Sequence, residues 1–195
     1  MMVRVGARLC VASYREPALP VDAMLILIRP SPAFGDGHHA TTQMCLEMLE
    51  QEIRGGERIL DVGTGSGILA IAAVKLGART VLGAEIHGPS CEAALANIRL
   101  NGVERAVHVF QGSVDAIHPG QMFDLAVANL YNAQQVMEVL PELTRRIRPG
   151  GMMICGGIWV GRREEMQRLL SAEHFTPRKE LARHQIVTIA SVKGA

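Results

Sequence analysis

The sequence predicts an α/β domain: a seven-stranded, mostly parallel sheet with helices on both faces and one antiparallel C-terminal strand. Three observations carry this reading. Residues Ile59 to Ala72 run from an apolar strand through closely spaced glycines into an apolar helix. From Ile59 onward, apolar runs of strand length alternate with stretches of helical period, the pattern of a parallel sheet covered on both faces. The last two strand-like runs are separated only by a few residues around Arg183-His184, which makes a hairpin and so reverses one strand.

The core strands are expected at 58–62, 80–86, 107–111, 123–129, 152–156, 176–180 and 185–191, and the helices at about 66–76, 89–101, 133–147 and 161–172. Pro89 suits a first helical turn, where its missing N–H costs nothing. Asn101-Gly102 and Pro149-Gly150-Gly151 read as stops and turns. Ahead of the core, two β-like segments at 8–12 and 24–28 flank a proline-containing loop. A turn over 31–40 then leads into a helix over 41–53, ended by Gly55-Gly56. No repeat or linker divides the 195 residues, so one domain is expected, with 1–57 as leading strands, loop and helix and 58–195 as the core.

Composition narrows the partners. A net charge of +1 gives no electrostatic basis for nucleic acid or an anionic membrane. Aromatic residues make up only 4% of the chain, which argues against a base-stacking surface. Cys10, Cys45, Cys91 and Cys155 lack C-x-x-C spacing and read as reduced thiols in a cytoplasmic protein. No secretory leader is expected, and the apolar run Met24–Ile28 is too short to span a bilayer.

The glycine turn decides the ligand class. Gly63, Gly65 and Gly67 give G-x-G-x-G, whereas a dinucleotide fingerprint wants its third glycine where Ile68 stands. A turn without Cβ atoms lets backbone approach a ligand closely. With no pyrophosphate to seat, the expected cofactor is the sulfonium nucleoside S-adenosylmethionine, and a nicotinamide dehydrogenase is disfavoured. Asp61 closes the first core strand, either as a partner for the turn amides or against the ligand's ammonium. Glu85, with Ile86 beside it, closes the second, placed to accept hydrogen bonds from both ribose hydroxyls. After the third strand, Ser113 or Asp115 is in position for the adenine amine.

Asn129, at the end of the fourth strand, is the expected catalytic residue. Its carboxamide oxygen can accept a hydrogen bond from an amine N–H and aim the nitrogen lone pair, but cannot act as a base at neutral pH. Tyr131 is a candidate pocket wall on the acceptor side. The segment Ala33–Thr42 packs glycines, histidines and threonines into a loop before a helix. It is expected to fold over the cofactor, with Phe34 on its apolar part and the hydroxyls of Thr41 and Thr42 near the amino-acid moiety, Thr41 alternatively being a plain helix cap. Asp36 and His38 face the acceptor in this reading. The adjacent histidines point different ways when extended, so no metal site is expected.

Taken together these segments resemble the PrmA-type methyltransferases, which modify amines of the eleventh protein of the large ribosomal subunit. That family's Ala-Phe-Gly-Thr-Gly-x-His-x-Thr-Thr loop is matched by Ala33–Thr42 apart from Asp36, and its glycine turn by Asp61–Ala73. Asn101–Val103, Val127–Leu130 and Arg148–Gly151 match its Asn-Gly-Val, Val-Ala-Asn-(Ile/Leu) and Arg-Pro-Gly-Gly segments. The resemblance implies a Rossmann-like class I methyltransferase fold using S-adenosyl-L-methionine, held by Phe34, Gly35, Thr41, Gly63, Thr64, Gly65, Glu85, Ser113 and Asn129. Asp61, Gly67 and Ile86 complete the expected cofactor set. Here Glu85 stands for the family's usual aspartate and His87-Gly88 for Asp-Pro. The family's separate N-terminal recognition domain has no counterpart in this reading, which is of a catalytic domain alone.

The function expected is methyl transfer to an amine, a protein lysine or α-amine being favoured. A small-molecule N- or O-methyltransferase and a non-catalytic cofactor-binding protein remain alternatives. A homodimer or a docking partner is left open. Nucleic-acid amine methylation is disfavoured, because Leu130 and Tyr131 stand where its acceptor motif carries prolines.

Overall fold

The structure is a computed structural model that describes residues 2–13 and 23–194. A three-stranded sheet is formed by β1 (Met2–Val5), β2 (Leu9–Ser13) and β3 (Met24–Ile28), with β2 antiparallel to β1 and parallel to β3. The expected proline-containing loop between β2 and β3 falls largely outside the described residues. Then follow α1 (Ala40–Glu52), β4 (Arg58–Val62), α2 (Ile68–Lys75), β5 (Thr80–Glu85), α3 (Gly88–Leu100) and β6 (Val107–Gln111). The rest is β7 (Phe123–Ala128), α4 (Ala133–Arg145), β8 (Ile147–Trp159), α5 (Arg163–Ala172), β9 (Phe175–Arg183) and β10 (Ile186–Lys193).

The main sheet has the order β6-β5-β4-β7-β8-β10-β9. Only β10 runs against the others, pairing antiparallel with both β8 and β9, as the hairpin reading expects. Helices α1, α2 and α3 pack on one face and α4 and α5 on the other, each face with its own apolar core. Helix α2 is buried almost throughout, which explains its uniformly apolar first turns. In α4, by contrast, the buried positions Ala133, Val136, Leu140 and Leu143 recur at helical period.

Strand order reverses between β4 and β7. Chain progress is from β4 out through β5 to β6, then back to β7 on the other side of β4. In open α/β sheets this switch point leaves a crevice at the carboxyl ends of the strands.

Several boundaries differ from expectation for physical reasons. The strand β1 is absent from the sequence reading because only Val5 in it is buried, so it carries almost no hydrophobic signal. The strand expected at 152–156 lies within a longer one, Ile147–Trp159. Its Pro149-Gly150-Gly151 does make a local excursion, with Ile147 opposite Phe123 but Met152 opposite Leu125 and Gly150 at φ +72°. Helix α1 begins one residue early. Its cap is His39, whose Nδ1 accepts from the Thr41 amide at 3.3 Å, and Thr41 lies inside the helix. The Thr41 capping reading is thereby corrected.

Asn97 of α3 and Asn101 just past its end bind the small sheet to the core. Asn101 exchanges two hydrogen bonds with the Leu27 backbone, at 3.0 and 2.7 Å, as a neighbouring strand would. Asn97, one turn earlier, accepts from the Arg29 amide at 2.9 Å and donates to the Ser66 carbonyl at 2.9 Å. Asn101 therefore does more than end a helix.

Candidate active site

The crevice at the switch point is a cleft of about 450 Å³, within the roughly 300–1,000 Å³ usual for small-molecule sites. Its walls come from the ends of β4, β5, β6 and β7, from one face of α4 and from the loop before α1. Of the residues expected to hold the cofactor, Phe34, Gly63, Gly65, Glu85, Ile86, Ser113 and Asn129 line it, as does Tyr131 from the acceptor set. Gly35, Thr41, Asp61, Thr64 and Gly67 lie behind these walls, Asp36 and His38 are exposed on the loop, and none of these seven lines the cleft. Asp115 does not line it either, whereas Ser113 does.

The glycine turn is shaped as much by protein neighbours as by any ligand. Gly63, Gly65 and Gly67 all have positive φ, at +70°, +54° and +81°, a region favouring glycine. A Cβ on Gly63 would stand 2.3 Å from Leu130 Cδ2, and one on Gly65 2.6 Å from the Phe34 carbonyl oxygen. A Cβ on Gly67 would stand 3.3 Å from the Ala94 Cβ of α3, so the turn packs closely on that helix.

Ser66 fastens the loop onto this turn. Its amide donates to the Phe34 carbonyl at 2.9 Å and its hydroxyl to the Gly35 carbonyl at 2.6 Å. The same hydroxyl oxygen accepts from the Ile68 amide at 3.3 Å. On the loop's other side, Gly37 packs where a Cβ would meet Val11 at 2.8 Å. Phe34, 51% exposed as a residue, is thus held at the cleft with its ring edge-on to His39, 5.3 Å between centroids. Asp36 accepts from the His38 amide at 2.9 Å, a local turn on the solvent side.

The two acids flanking the turn have different surroundings. Asp61 is buried, 1% exposed, and accepts from the Thr64 hydroxyl at 2.6 Å. Burial pushes its pKa up to about 7, against the lowering effect of the Thr64 bond and the Ala70 amide, while the Glu85 charge adds to the rise. This arrangement favours its role as a partner within the turn. Glu85 reaches the cleft. Its Oε2 accepts from the Gly65 amide and its Oε1 from the His87 amide, both at 3.0 Å. Each carboxylate oxygen has a second acceptor position, so the pair can still receive two hydroxyl donors side by side.

At the end of β7, Asn129 is 8% exposed. Its Nδ2 donates to the Thr42 hydroxyl at 3.4 Å, while its Oδ1 has no hydrogen-bond partner. That carboxamide oxygen packs against the β8 backbone, where a Cβ on Gly156 would lie 2.7 Å from it. A buried polar atom left without a partner costs roughly 1–3 kcal/mol. Other atoms of Asn129 line the cleft. Next to it, Tyr131 is 91% exposed at the lip. Asn132 begins α4 by accepting from the Gln135 amide at 3.0 Å.

Sequence reasoning did not single out Ser90, Gln135, Glu138 or Val139, all of which line the cleft. The α4 residues had a usable signal: 135, 138 and 139 share one face at helical spacing. The role of Ser66 was hidden, as was the contact of Thr42 with Asn129, since both come from partners distant in the chain.

The family model described as "Ribosomal protein L11 methyltransferase (PrmA)" matches residues 2–194. The ribosomal protein L11 methyltransferase of Symbiobacterium thermophilum is 39% identical over 175 residues, covering 89% of this chain and 56% of that protein. The protein of that name from Syntrophotalea carbinolica is 44% identical over 160 residues, covering 80% and 51%. The chain thus spans about half the length of these curated relatives. A crystal structure of ribosomal protein L11 methylase from Lactobacillus delbrueckii subsp. bulgaricus superposes with a TM-score of 0.91 at 31% identity, covering 100% of this chain and 99% of that one. A putative RNA methyltransferase from Pyrococcus horikoshii, at 16% identity and a TM-score of 0.67, shares the fold alone.

Proposed function

The chain belongs to the ribosomal protein L11 methyltransferase (PrmA) family, and from that premise we propose that it is an S-adenosylmethionine-dependent methyltransferase acting on amine nitrogen. The proposed acceptor is a protein lysine or α-amine, with ribosomal protein L11 the first candidate. The observation that carries the reading is the cleft itself, lined together by the glycine turn, Glu85 and Asn129 at the ends of three neighbouring strands.

The residues fit the cofactor. Glu85 has acceptor positions free for vicinal ribose hydroxyls, Gly63 and Gly65 bring backbone to the cleft, and Ser113 lies on the far flank for the base. When bound, S-adenosylmethionine supplies a methyl group already activated on sulfur, so neither metal nor general acid is needed. The work left to the protein is alignment and exclusion of water. Phe34, fastened by Ser66, closes one side of the cleft. In this reading the Asn129 side chain rotates on acceptor binding to bring Oδ1 from the β8 side into the cleft, where it accepts an N–H of the neutral amine and aims the nitrogen lone pair at the methyl group. Asp61 is not assigned as a base, because it is buried behind the turn and engaged by Thr64.

The test has two stages. Calorimetric titration with S-adenosylhomocysteine should show a single site, and tighter binding of NAD would overturn the cofactor assignment. Purified enzyme with labelled S-adenosylmethionine should then methylate L11 on amine nitrogen. Its kcat/KM should rise tenfold per pH unit toward the acceptor's pKa, about 8 for an α-amine and above 10 for lysine. Label appearing on carboxylate or hydroxyl oxygen would refute the amine assignment.

A further inference from the structure

We propose that Asn97 is a positioning residue for the cofactor. From behind the cleft it ties the Ser66 peptide to the root of the Phe34 loop, and S-adenosylmethionine affinity depends on that tie. The proposal rests on the functional reading above and concerns that same site.

Asn97 lies in α3, 1% exposed and outside the walls of the cleft. Two small residues let this helix approach the glycine turn, since a Cβ on Gly67 would already stand 3.3 Å from that of Ala94. Asn97, three residues after Ala94, shares its face of the helix. It reaches the Ser66 carbonyl, to which its Nδ2 donates at 2.9 Å, and its Oδ1 accepts from the Arg29 amide at 2.9 Å. One partner is a carbonyl and the other an N–H, so the carboxamide fits only this way round. Ser66 is itself 1% exposed, so water is a poor substitute for the asparagine at that carbonyl.

These two partners bracket the segment that covers the cleft. Arg29 is where the chain leaves β3, and Phe34 follows at the cleft wall. Ser66 grips the far end, its amide on the Phe34 carbonyl at 2.9 Å and its hydroxyl on the Gly35 carbonyl at 2.6 Å. Loop root, Asn97, Ser66 and loop tip thus form a closed ring of hydrogen bonds. Ser66 also follows directly on Gly65, whose amide donates to Glu85 Oε2 at 3.0 Å. A displaced Ser66 therefore disturbs two cofactor contacts together, the Phe34 wall and the acid placed for the ribose. Asn101, one turn later, supplies the contrast. It makes two hydrogen bonds with the Leu27 backbone, at 3.0 and 2.7 Å, and anchors the same small sheet. Among the described residues, none of its hydrogen bonds goes to Ser66 or to the loop.

Asn97→Ala removes both of its side-chain bonds, and Asn101→Ala removes both bonds to Leu27 from the same end of the helix. Both variants should melt at a lower temperature than wild type. Calorimetric titration should separate them. S-adenosylhomocysteine should bind Asn97→Ala about tenfold more weakly, because affinity falls with the fraction of molecules whose loop is seated and a buried hydrogen bond is worth about that factor. Asn101→Ala should stay within about threefold of wild type. An Asn97→Ala affinity within threefold of wild type, or an equal loss in both variants, would overturn the proposal and make Asn97 merely structural. Hydrogen exchange in wild-type protein gives a readout that stands even where Asn97→Ala does not fold. S-adenosylhomocysteine should slow exchange of the Arg29 amide about fivefold or more, and leave the Leu27 amide, held by Asn101, unchanged. No slowing at Arg29, or equal slowing at both amides, would overturn the proposal. Failure of the underlying reading would show separately, as wild-type protein that does not bind S-adenosylhomocysteine.

Discussion

Asp61→Asn should change how stability depends on pH more than it changes the fold. Asp61 is 1% exposed, and burial raises its pKa from the ordinary aspartate value of 3.8 to about 7. The native state therefore holds a proton that the unfolded chain has already released, and between these two values stability falls as pH rises. The contribution is fully present below 3.8 and lost as pH passes about 7. The shift spans about three pH units at ~1.4 kcal/mol each, so the loss is about 4 kcal/mol, a large share of the ~5–15 kcal/mol that stabilises a domain. Asparagine keeps the shape and can still accept from the Thr64 hydroxyl, but does not titrate. Urea unfolding of both proteins across about pH 4 to 8 isolates the residue, because other titrating groups cancel in the difference. Wild type should lose stability relative to Asp61→Asn through this window, then run parallel to it above. A constant offset across the whole range would refute the reasoning and place the Asp61 carboxyl in a solvated or strongly hydrogen-bonded site.

Two further outcomes bear on the cleft. Gly65→Ala combines positive φ with a Cβ 2.6 Å from the Phe34 carbonyl. It should lift the loop, lower S-adenosylhomocysteine affinity ~10-fold or more, and expose the chain near Phe34 to protease; binding without loop exposure would mean the loop does not depend on this glycine. Glu85→Gln should cost ~10–100-fold in S-adenosylhomocysteine affinity, as expected for a charge-assisted hydrogen bond. Removing the ribose hydroxyls from the ligand should then cost the variant much less than wild type, and equal losses in both would detach Glu85 from the sugar.

Much of the fold is legible from local pattern. The strand–turn–helix at Arg58–Lys75 is written in an apolar run, positive-φ glycines and an apolar helix. The C-terminal hairpin follows from two strand-like runs with too little chain between them for a crossover. What misled were signals that compete locally. Pro149-Gly150-Gly151 reads as a boundary, yet pairing with β7, where Phe123 faces Ile147, carries the strand past it. Thr41 is the better cap by residue type, yet His39 holds the position because its ring nitrogen reaches the Thr41 amide.

By itself the sequence determined the parallel sheet with its reversed strand, the turn at the end of β4, the identities of Glu85 and Asn129 and the family motif in the loop. These depend on residues near one another in the chain, whose spacing is their geometry. Only the tertiary structure decided that Asp61 is buried behind the turn while Glu85 reaches the cleft, that Phe34 is held by Ser66, and that the Asn129 amide meets Thr42. Those outcomes depend on which side chains meet after the sheet closes, Asn129 and Thr42 being 87 residues apart. No periodicity along the chain encodes that meeting, because packing and register between distant strands set it.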